Sequence, residues 1–178
     1  MAGETGPTVY LTSKEISLGP DQYRVRLKDE TIKPDYVARD GLTFCNYFVR
    51  EIAHWFGYEG FDNSGERELS AHDFARVMER ERNMPSDWLP LNTHMEAASF
   101  ANHGRLVVAA LQPIADEAHG HVCIVAPEVC QASPSWGGPV CQVANVGKDN
   151  WYGRRISWAF TLAQRDRLGL YLFVRTKA

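Results

Sequence analysis

The chain has 178 residues, of which 44% are hydrophobic and 23% charged, and its formal net charge is −3. This length provides for one domain with a sizeable core, residues 1–178, and excludes two domains of ordinary size. The aromatic content of 11% argues against intrinsic disorder, and the weakly acidic balance argues against nucleic-acid binding by the chain as a whole.

The N-terminal 40 residues predict a short strand and no targeting segment. Residues 1–13 lack both a basic region and an apolar core, so we expect no secretory signal and synthesis in the cytosol. No apolar stretch of the sequence approaches the ~20 residues that cross a bilayer, so we expect no membrane insertion. At residues 23–27 apolar and charged side chains alternate, which predicts a β-strand.

Residues 44–56 form the strongest predicted helix. Apolar side chains recur at helical spacing in two neighbouring stripes, which are Phe44, Phe48, Ile52 and Trp55, and Cys45, Val49, Ile52 and Phe56. Thr43 is the predicted N-cap and Gly57 the predicted C-cap. A helix that is apolar around so much of its circumference is expected at the centre of the core.

Two further helices are predicted before the sequence pattern changes. Residues 70–82 carry apolar side chains at helical spacing, with Ser70 as N-cap and Asp73 near N3. The many charges of this segment suit a solvated face. Two prolines then interrupt the pattern, and a short helix is predicted over residues 95–103.

The second half of the chain predicts β-strands. Apolar runs or alternating patterns of strand length occupy residues 106–111, 120–126, 140–146, 156–160 and 168–174. Residues 133–139 are rich in proline and glycine and predict a turn. Helices followed by a run of strands indicate an α+β domain with helices packed on an antiparallel sheet.

Cys45 lies in the first turn of the central predicted helix, at N2 if Thr43 is the N-cap. Unpaired N–H groups and the helix dipole favour a thiolate at this position. The thiolate is the reactive form of cysteine, so this position suits a nucleophile. The alternative interpretation is a small core residue, because free cysteines are commonly buried.

Among the six histidines, His121 is the best-placed partner for a thiolate. It follows Gly120, where the missing side chain lets another element approach closely. An imidazole on a strand that faces a helix N-terminus has the geometry that Cys–His catalysis requires. The alternative for His121 is a hydrogen-bonded strand histidine. His72 and His94 are predicted to be exposed.

A third group would orient the imidazole through its other ring nitrogen. The next predicted strand, residues 140–146, has two polar members, Gln142 and Asn145, which point to opposite faces. Asn145 is the favoured candidate and Gln142 the next. A backbone carbonyl is the third alternative, in which case neither side chain is needed.

The remaining cysteines fit neither a zinc pattern nor a disulfide-rich scaffold, since the chain has no C-x-x-C and only four cysteines. A Cys130–Cys141 bridge is one arrangement. A metal site built from His119, His121 and Cys123 is a minor alternative. The prediction is therefore that the protein uses no metal and no cofactor.

The C-terminal segment is strongly basic. Residues 151–178 contain six Lys or Arg residues and one acid. One interpretation is that these cationic side chains lie on a solvent-exposed edge strand and helix, where they discourage pairing with other chains. The alternative is that they attract an anionic polymer or an acidic partner. Several aromatic residues flank the predicted strands and are expected either in the core or along a groove, namely Trp136, Trp151, Tyr152 and Trp158.

Four segments carry a family resemblance: residues 44–49 (FCNYFV), 104–111 (GRLVVAAL), 120–125 (GHVCIV) and 165–173 (RDRLGLYLF). In this order they resemble the NlpC-like and CHAP-like cysteine peptidases and amidases. More specifically, they are similar to the type VI secretion amidase effectors. The similarity extends over residues 41–174.

The resemblance implies a papain-like fold, a catalytic pair at Cys45 and His121, and hydrolysis of an amide in the stem peptide or cross-link of peptidoglycan. It also implies an antibacterial toxin that is delivered to the periplasm of rival Gram-negative bacteria and neutralised in kin by an immunity protein. Phe44 and Asn46 differ from many relatives, which have an acid or Asn before the cysteine and Ser or Thr after it.

Two other functions are consistent with the same residues. One is a cysteine protease or acyltransferase that acts on proteins, and the other is a papain-like binding module without catalysis. Residues 57–90 have no counterpart in the resemblance, so substrate choice stays open.

Overall fold

The fold is organised around a six-stranded antiparallel sheet. The structure is a computed structural model and describes residues 18–40, 42–62, 68–80, 87–114 and 120–174. The helices are α1 (Pro20–Thr31), α2 (Cys45–Trp55), α3 (Ala71–Arg80) and α4 (His94–Asn102). The strands are β1 (Trp88–Leu91), β2 (Val107–Leu111), β3 (Val122–Val125), β4 (Gln131–Ser133), β5 (Gly138–Val140), β6 (Gln142–Asn145), β7 (Trp151–Arg155) and β8 (Leu168–Phe173). The predicted α+β class with an antiparallel sheet is confirmed.

Strand order determines which residues meet at one end of the sheet. The order is β1-β8-β2-β3-β6-β7, and β4 and β5 form a separate pair. Val125 pairs with Val143, and Asn145 pairs with Trp151. Because neighbouring strands run in opposite directions, the start of β3, the end of β6 and the start of β7 lie side by side.

The sheet separates two hydrophobic cores. Helices α1, α2 and α3 cover one face, on which Val122 and Ile124 are fully buried. Helix α4 and the β4–β5 pair cover the other face, on which Cys123 and Val125 are fully buried. The alternation predicted for the strand at residues 120–126 therefore holds. Burial of each large apolar side chain contributes roughly 1.5–3 kcal/mol to stability.

Helix α1 contradicts the strand predicted for residues 23–27. Pro20 occupies its first turn, where proline is tolerated because the backbone N–H that it lacks would have no acceptor within the helix. Tyr23 and Leu27 are fully buried, whereas Val25 between them is 60% exposed. The alternation of apolar and charged residues is compatible with a strand, but the four-residue spacing of the two buried side chains fits one face of a helix.

Helix α2 confirms the strongest predicted helix and corrects its first residue. The N-cap is Phe44 and makes no side-chain capping bond, so the prediction of Thr43 as N-cap is wrong. Cys45 consequently occupies N1 rather than N2. At the other end Gly57 adopts a left-handed conformation with φ of 73°, which terminates the helix.

Helices α3 and α4 confirm the other two predicted helices, with slightly different ends. The Ser70 hydroxyl accepts a bond from the Asp73 N–H at 3.2 Å, and the Asp73 carboxylate accepts one from the Ser70 N–H at 2.9 Å. Residues 81 and 82 of the predicted helix lie outside the described residues. Within the described ranges, no helix combines the length and apolar character of a membrane span.

The predicted strand at residues 156–160 is wrong. Ile156–Trp158 is a 3-10 helix, and Ile156 and Phe160 are buried while Trp158 is 61% exposed. The preceding residues instead form β7, an edge strand that has Gly153 at its centre and is mostly half-buried. Because glycine and arginine weaken the apolar alternation, the sequence pattern does not reveal this strand.

The two predictions on either side of residue 140 are partly correct. The proline- and glycine-rich segment at residues 133–139 contains a 3-10 helix, Pro134–Trp136, and enters β5. The strand predicted over residues 140–146 is divided at Cys141 between the end of β5 and β6. Because of this division, the β4–β5 pair is separate from the six-stranded sheet. It packs on the second core, which is the one that contains Cys123 and Val125.

The first part of the basic C-terminal run lies at the edge of the sheet, as the solvated-edge interpretation predicts, whereas β8 in the same run is an interior strand between β1 and β2. Arg154 and Arg155 belong to the edge strand β7. Arg155, Arg165 and Arg167 donate hydrogen bonds to the backbone carbonyls of Ala132, Trp136 and Gln112, respectively. Arg175 and Lys177 lie outside the described residues.

Candidate active site

Cys45 begins α2 at the point where this helix meets the start of β3. Its side chain is 4% exposed. The backbone N–H groups of Val122 and Asn46 are close enough to its sulfur to lower the pKa of the thiol. The first N–H groups of a helix have no intrahelical acceptor, and the dipole makes the potential there positive. Cys45 therefore lies where negative charge on sulfur is stabilised.

His121 immediately precedes β3, and its imidazole is close enough to the Cys45 thiol for each group to shift the pKa of the other. Its Nε2 lies 2.7 Å from Oδ1 of Asn145. Since Nε2 is engaged by the amide, Nδ1 is the ring nitrogen left for the sulfur. The Leu111 N–H donates to the His121 carbonyl at 2.9 Å, and the Phe160 ring packs against the imidazole at 5.2 Å between centroids. These contacts fix the backbone and the ring.

Asn145 ends β6, and its amide has a defined orientation. Its Nδ2 donates to the carbonyl oxygen of Asp149 at 3.0 Å. Only the NH₂ group of an amide can donate to a carbonyl, so Oδ1 is the atom that faces His121. Nε2 of His121 consequently carries a proton, and Nδ1 is the basic nitrogen that faces Cys45. The three side chains form a continuous thiol–imidazole–amide series.

Burial and pairing act in opposite directions on the two titrating groups. Burial raises the pKa of the Cys45 thiol, but the hydrogen bond and charge of His121 and the two backbone N–H groups outweigh it, so the net pKa lies below the ordinary value. Burial lowers the pKa of His121, but Cys45 and Asn145 together raise it above the ordinary value. Each shift favours the thiolate–imidazolium pair.

A cleft of about 250 Å³ opens beside the imidazole and the amide. Besides His121 and Asn145, it is lined by Thr43, Gly147, Lys148, Asp149, Trp151, Trp158 and Ala159. Lys148 and Asp149 are exposed and bring charges of both signs to the cleft. Trp158 presents a large apolar surface to solvent. The prediction that aromatic residues line a groove holds for Trp151 and Trp158.

Comparison with models of protein families finds no match to the chain. Comparison with curated proteins finds none either. The functional interpretation therefore depends on the geometry of the site.

The structure brings together Cys45, His121 and Asn145, the three residues favoured by the sequence. It places Gln142, the alternative orienting residue, away from the imidazole. Gln142 donates through Nε2 to the Val129 carbonyl at 2.8 Å and does not bond to His121. The backbone-carbonyl alternative does not apply to the imidazole either, because its Nε2 partner is the Asn145 side chain. The catalytic roles of Cys45, His121 and Asn145 stay a prediction.

Two other histidines contradict their prediction, because neither His72 nor His94 is exposed. His72 is buried on α3, against Gly120. His94 is half-buried at the start of α4, and its Nδ1 lies 3.4 Å from the Cys141 sulfur. Polar sequence context does not predict exposure for the first residues of a helix that packs on a sheet.

The Cys130–Cys141 bridge considered from the sequence is not formed in this structure. Cys130 and Cys141 are free thiols, as are Cys45 and Cys123. His119, one member of the alternative metal site, lies outside the described residues. In the part of the chain that is described, no group of three His, Cys, Asp or Glu side chains is arranged to hold a metal ion.

The loop between β6 and β7 supplies parts of the site that the sequence analysis does not identify. Asp149 fixes the Asn145 amide through its carbonyl. Gly147 lies so close that a Cβ there would be 3.5 Å from Cε1 of His121, and its N–H donates to Oδ1 of Asn150 at 3.1 Å. The only sequence signal is the turn composition of residues 147–150.

Replacement of Gly120 by alanine is expected to lower the melting temperature and disturb the site. A Cβ at this position would lie 2.3 Å from Cδ2 of His72 and 2.9 Å from its backbone nitrogen. Such overpacking costs about 1–3 kcal/mol of stability and shifts the backbone next to His121. Gly138→Ala is the matched control, because its Cβ would meet no atom within 4 Å. Equal thermal melting of the two variants would contradict the close approach.

Proposed function

We propose that the protein is a cysteine hydrolase in which Cys45 is the nucleophile, His121 the acid–base group and Asn145 the residue that orients the imidazole. The supporting observation is the series of interacting side chains from the Cys45 thiol through His121 to Asn145, in which His121 and Asn145 are hydrogen-bonded. Each residue alone has an ordinary structural explanation. Their order, with the helix N-terminus behind the sulfur, is what nucleophilic acyl transfer requires.

The proposed reaction is acyl transfer through a thioester. The Cys45 thiolate attacks the carbonyl carbon of an amide, and backbone N–H groups at the start of α2 stabilise the oxyanion. The His121 imidazolium gives its proton to the leaving amine as the C–N bond breaks. A water molecule then attacks the thioester, His121 takes its proton, and Cys45 leaves as thiolate. Asn145 keeps the Nε2–H tautomer throughout.

A papain-like fold is the finer structural proposal. A helix with the cysteine at its N-terminus packs on an antiparallel sheet. The histidine directly precedes β3 and the asparagine ends β6, and these two strands are neighbours in that sheet. This arrangement supports the papain-like fold that the sequence resemblance implies.

For the substrate we propose an amide in the stem peptide or cross-link of peptidoglycan. The resemblance to type VI amidase effectors motivates this choice, together with delivery into a target periplasm and neutralisation by an immunity protein. The exposed charges of Lys148 and Asp149 beside the imidazole support it, because stem peptides offer both carboxylates and amines.

Digestion of Gram-negative sacculi tests the proposal. Purified protein is expected to release soluble muropeptides, and liquid chromatography with mass spectrometry identifies the bond that is cut. Cys45→Ala protein serves as the inactive control. If the sacculi stay intact while a protein substrate is cleaved or acylated, the protease or acyltransferase alternative replaces the peptidoglycan proposal.

Asn145→Ala is expected to lower kcat, whereas Gln142→Ala is not. Without Asn145 the imidazole loses the acceptor for its Nε2–H, and the productive tautomer and ring orientation are no longer enforced. Gln142 is an equally buried amide on the same strand that bonds to a loop carbonyl instead. Steady-state kinetics of both variants, at matched folded fractions, check this. A comparable loss of kcat in Gln142→Ala would remove the positioning role.

Trp158→Ala is expected to raise KM by roughly tenfold with little change in kcat, because a large exposed ring in a cleft supplies binding area rather than chemistry. Replacement of an exposed side chain leaves the fold intact, so the effect is separable from stability. Leu162→Ala, which removes a comparably exposed apolar side chain outside the cleft, is the control. An unchanged KM in Trp158→Ala would place the substrate elsewhere.

A further inference from the structure

Cys130 directly precedes β4 and Cys141 directly follows β5, so both lie at the open end of the β4–β5 pair. The antiparallel register aligns Ser133 with Gly138 and Gln131 with Val140. Continued by one step beyond the two strands, the same register would set Cys130 opposite Cys141. Facing residues of antiparallel strands have Cα atoms about 4.5–5.5 Å apart, which lies within the range that a disulfide spans.

The side chains of the two cysteines converge on one residue, His94. The Cys141 sulfur lies 3.4 Å from Nδ1 of His94. The Cys130 thiol donates to the carbonyl oxygen of His94 at 3.5 Å. Burial raises the pKa of Cys141, and the charge of Cys130 raises it further, which agrees with this proximity. Both are free thiols in the structure.

We propose that Cys130 and Cys141 are a modification site at which small-molecule disulfides, such as oxidised glutathione, produce an internal disulfide by thiol–disulfide exchange. The site is separate from the Cys45 site and does not depend on the proposed hydrolase function. The register of the β4–β5 pair and the contacts of both thiols with His94 supply the geometry of the bond.

Different exposure of the two thiols sets the order of the reaction. Cys130 is half-buried, whereas Cys141 is fully buried. The Cys130 thiolate therefore attacks the small disulfide first, breaks its S–S bond, and releases one small thiolate, which takes up a proton. The product is a mixed disulfide at Cys130.

The second step closes the bridge. Cys141 gives up its proton to solvent, and its thiolate attacks the Cys130 sulfur of the mixed disulfide. The Cys130–S bond to the second small thiolate breaks, and that thiolate leaves and takes up a proton from solvent. In total, two protein thiols are oxidised to one disulfide, and one small disulfide is reduced to two thiols.

The bridge would close a short loop that already packs on the second core. The loop contains the buried Trp136, whose ring lies 5.8 Å from that of His94, and it leads directly into β6. Closing a native loop without strain restricts the unfolded chain. We expect the oxidised protein to melt roughly 5–10 °C above the reduced protein.

Mass spectrometry of Cys45→Ala protein tests this inference, because the variant removes the most reactive thiol. Reduced protein is exposed to oxidised glutathione, quenched with acid and alkylated. The expected product is lighter by about 2 Da before alkylation, contains a peptide that links Cys130 to Cys141, and leaves only Cys123 to be alkylated. Adding Cys141→Ser to this variant is expected to trap glutathione on Cys130.

Three results would overturn the inference. They are a stable glutathione adduct on Cys130 while Cys141 is present, a dominant bridge that includes Cys123, and the absence of any oxidation. A parallel sample in guanidinium shows whether the pairing requires the fold, and there the preference for Cys130–Cys141 is expected to fall. A melting temperature that rises on oxidation and returns on reduction by dithiothreitol supports the facing geometry, and an unchanged one contradicts it.

Discussion

Cys45→Ala and His121→Ala are each expected to lower the rate of amide hydrolysis by roughly 10³-fold or more. Without the sulfur no thioester forms. Without the imidazole the thiol loses its hydrogen-bond partner, and no group remains to protonate the leaving amine. Because the two residues act as a unit, the double variant is expected to lose little more than either single variant. Release of soluble muropeptides from sacculi measures all three rates.

Cys130→Ala is the matched control for this experiment, since it also replaces a free thiol in the described part of the chain, away from the cleft. It is expected to keep the wild-type rate. Thermal melting establishes that each variant is folded, because Cys45 packs in the first core and its loss could act through stability. Full activity in folded Cys45→Ala protein would refute the nucleophile assignment, whereas a folded wild-type protein that releases no muropeptides would favour the binding-module alternative.

The sequence predicts α2 well because two kinds of evidence agree there. Its apolar side chains follow helical spacing all around one side, and Gly57 marks the end. Helix α1 has no such agreement. Its residues 23–27 satisfy both a strand and a helix pattern, and only burial of Tyr23 and Leu27 against the rest of the core decides between them.

Proximity between Cys45 and His121 could be predicted only as a hypothesis. The two residues are far apart in sequence, and their contact depends on where α2 crosses the start of β3, which no local pattern encodes. The choice between Gln142 and Asn145 depends on tertiary partners in the same way. The Val129 carbonyl engages one amide and the Asp149 carbonyl orients the other. Such partners come from loops, whose conformation local sequence specifies weakly.

Selective alkylation of Cys45 at mildly acidic pH is the second large effect that we expect. Cys45 is the one thiol of the four whose pKa is lowered, despite its burial, by His121 and the backbone N–H groups. Burial raises the pKa of each of the others, Cys123, Cys130 and Cys141. Since only the thiolate reacts, iodoacetamide at pH 6 is expected to label Cys45 at least roughly tenfold faster than any other thiol.

The direction of the pH dependence follows from the sign of each shift. A lowered thiol pKa means that the Cys45 thiolate persists as pH falls below the range where ordinary thiols protonate. A raised imidazole pKa means that the His121 cation persists as pH rises above the ordinary histidine range. Reactivity is therefore expected on a plateau between the two apparent pKa values of the coupled pair, with a loss on the acid side.

His121→Ala distinguishes this explanation from simple accessibility. The variant opens space beside the sulfur, so a purely steric control of labelling predicts faster alkylation at every pH. Electrostatic control predicts the opposite at pH 6, because burial then raises the thiol pKa without the opposing imidazole. Peptide mapping of the alkylated protein over a pH series separates the two. Faster labelling of Cys45 at pH 6 in His121→Ala would show that the imidazole does not activate the thiol.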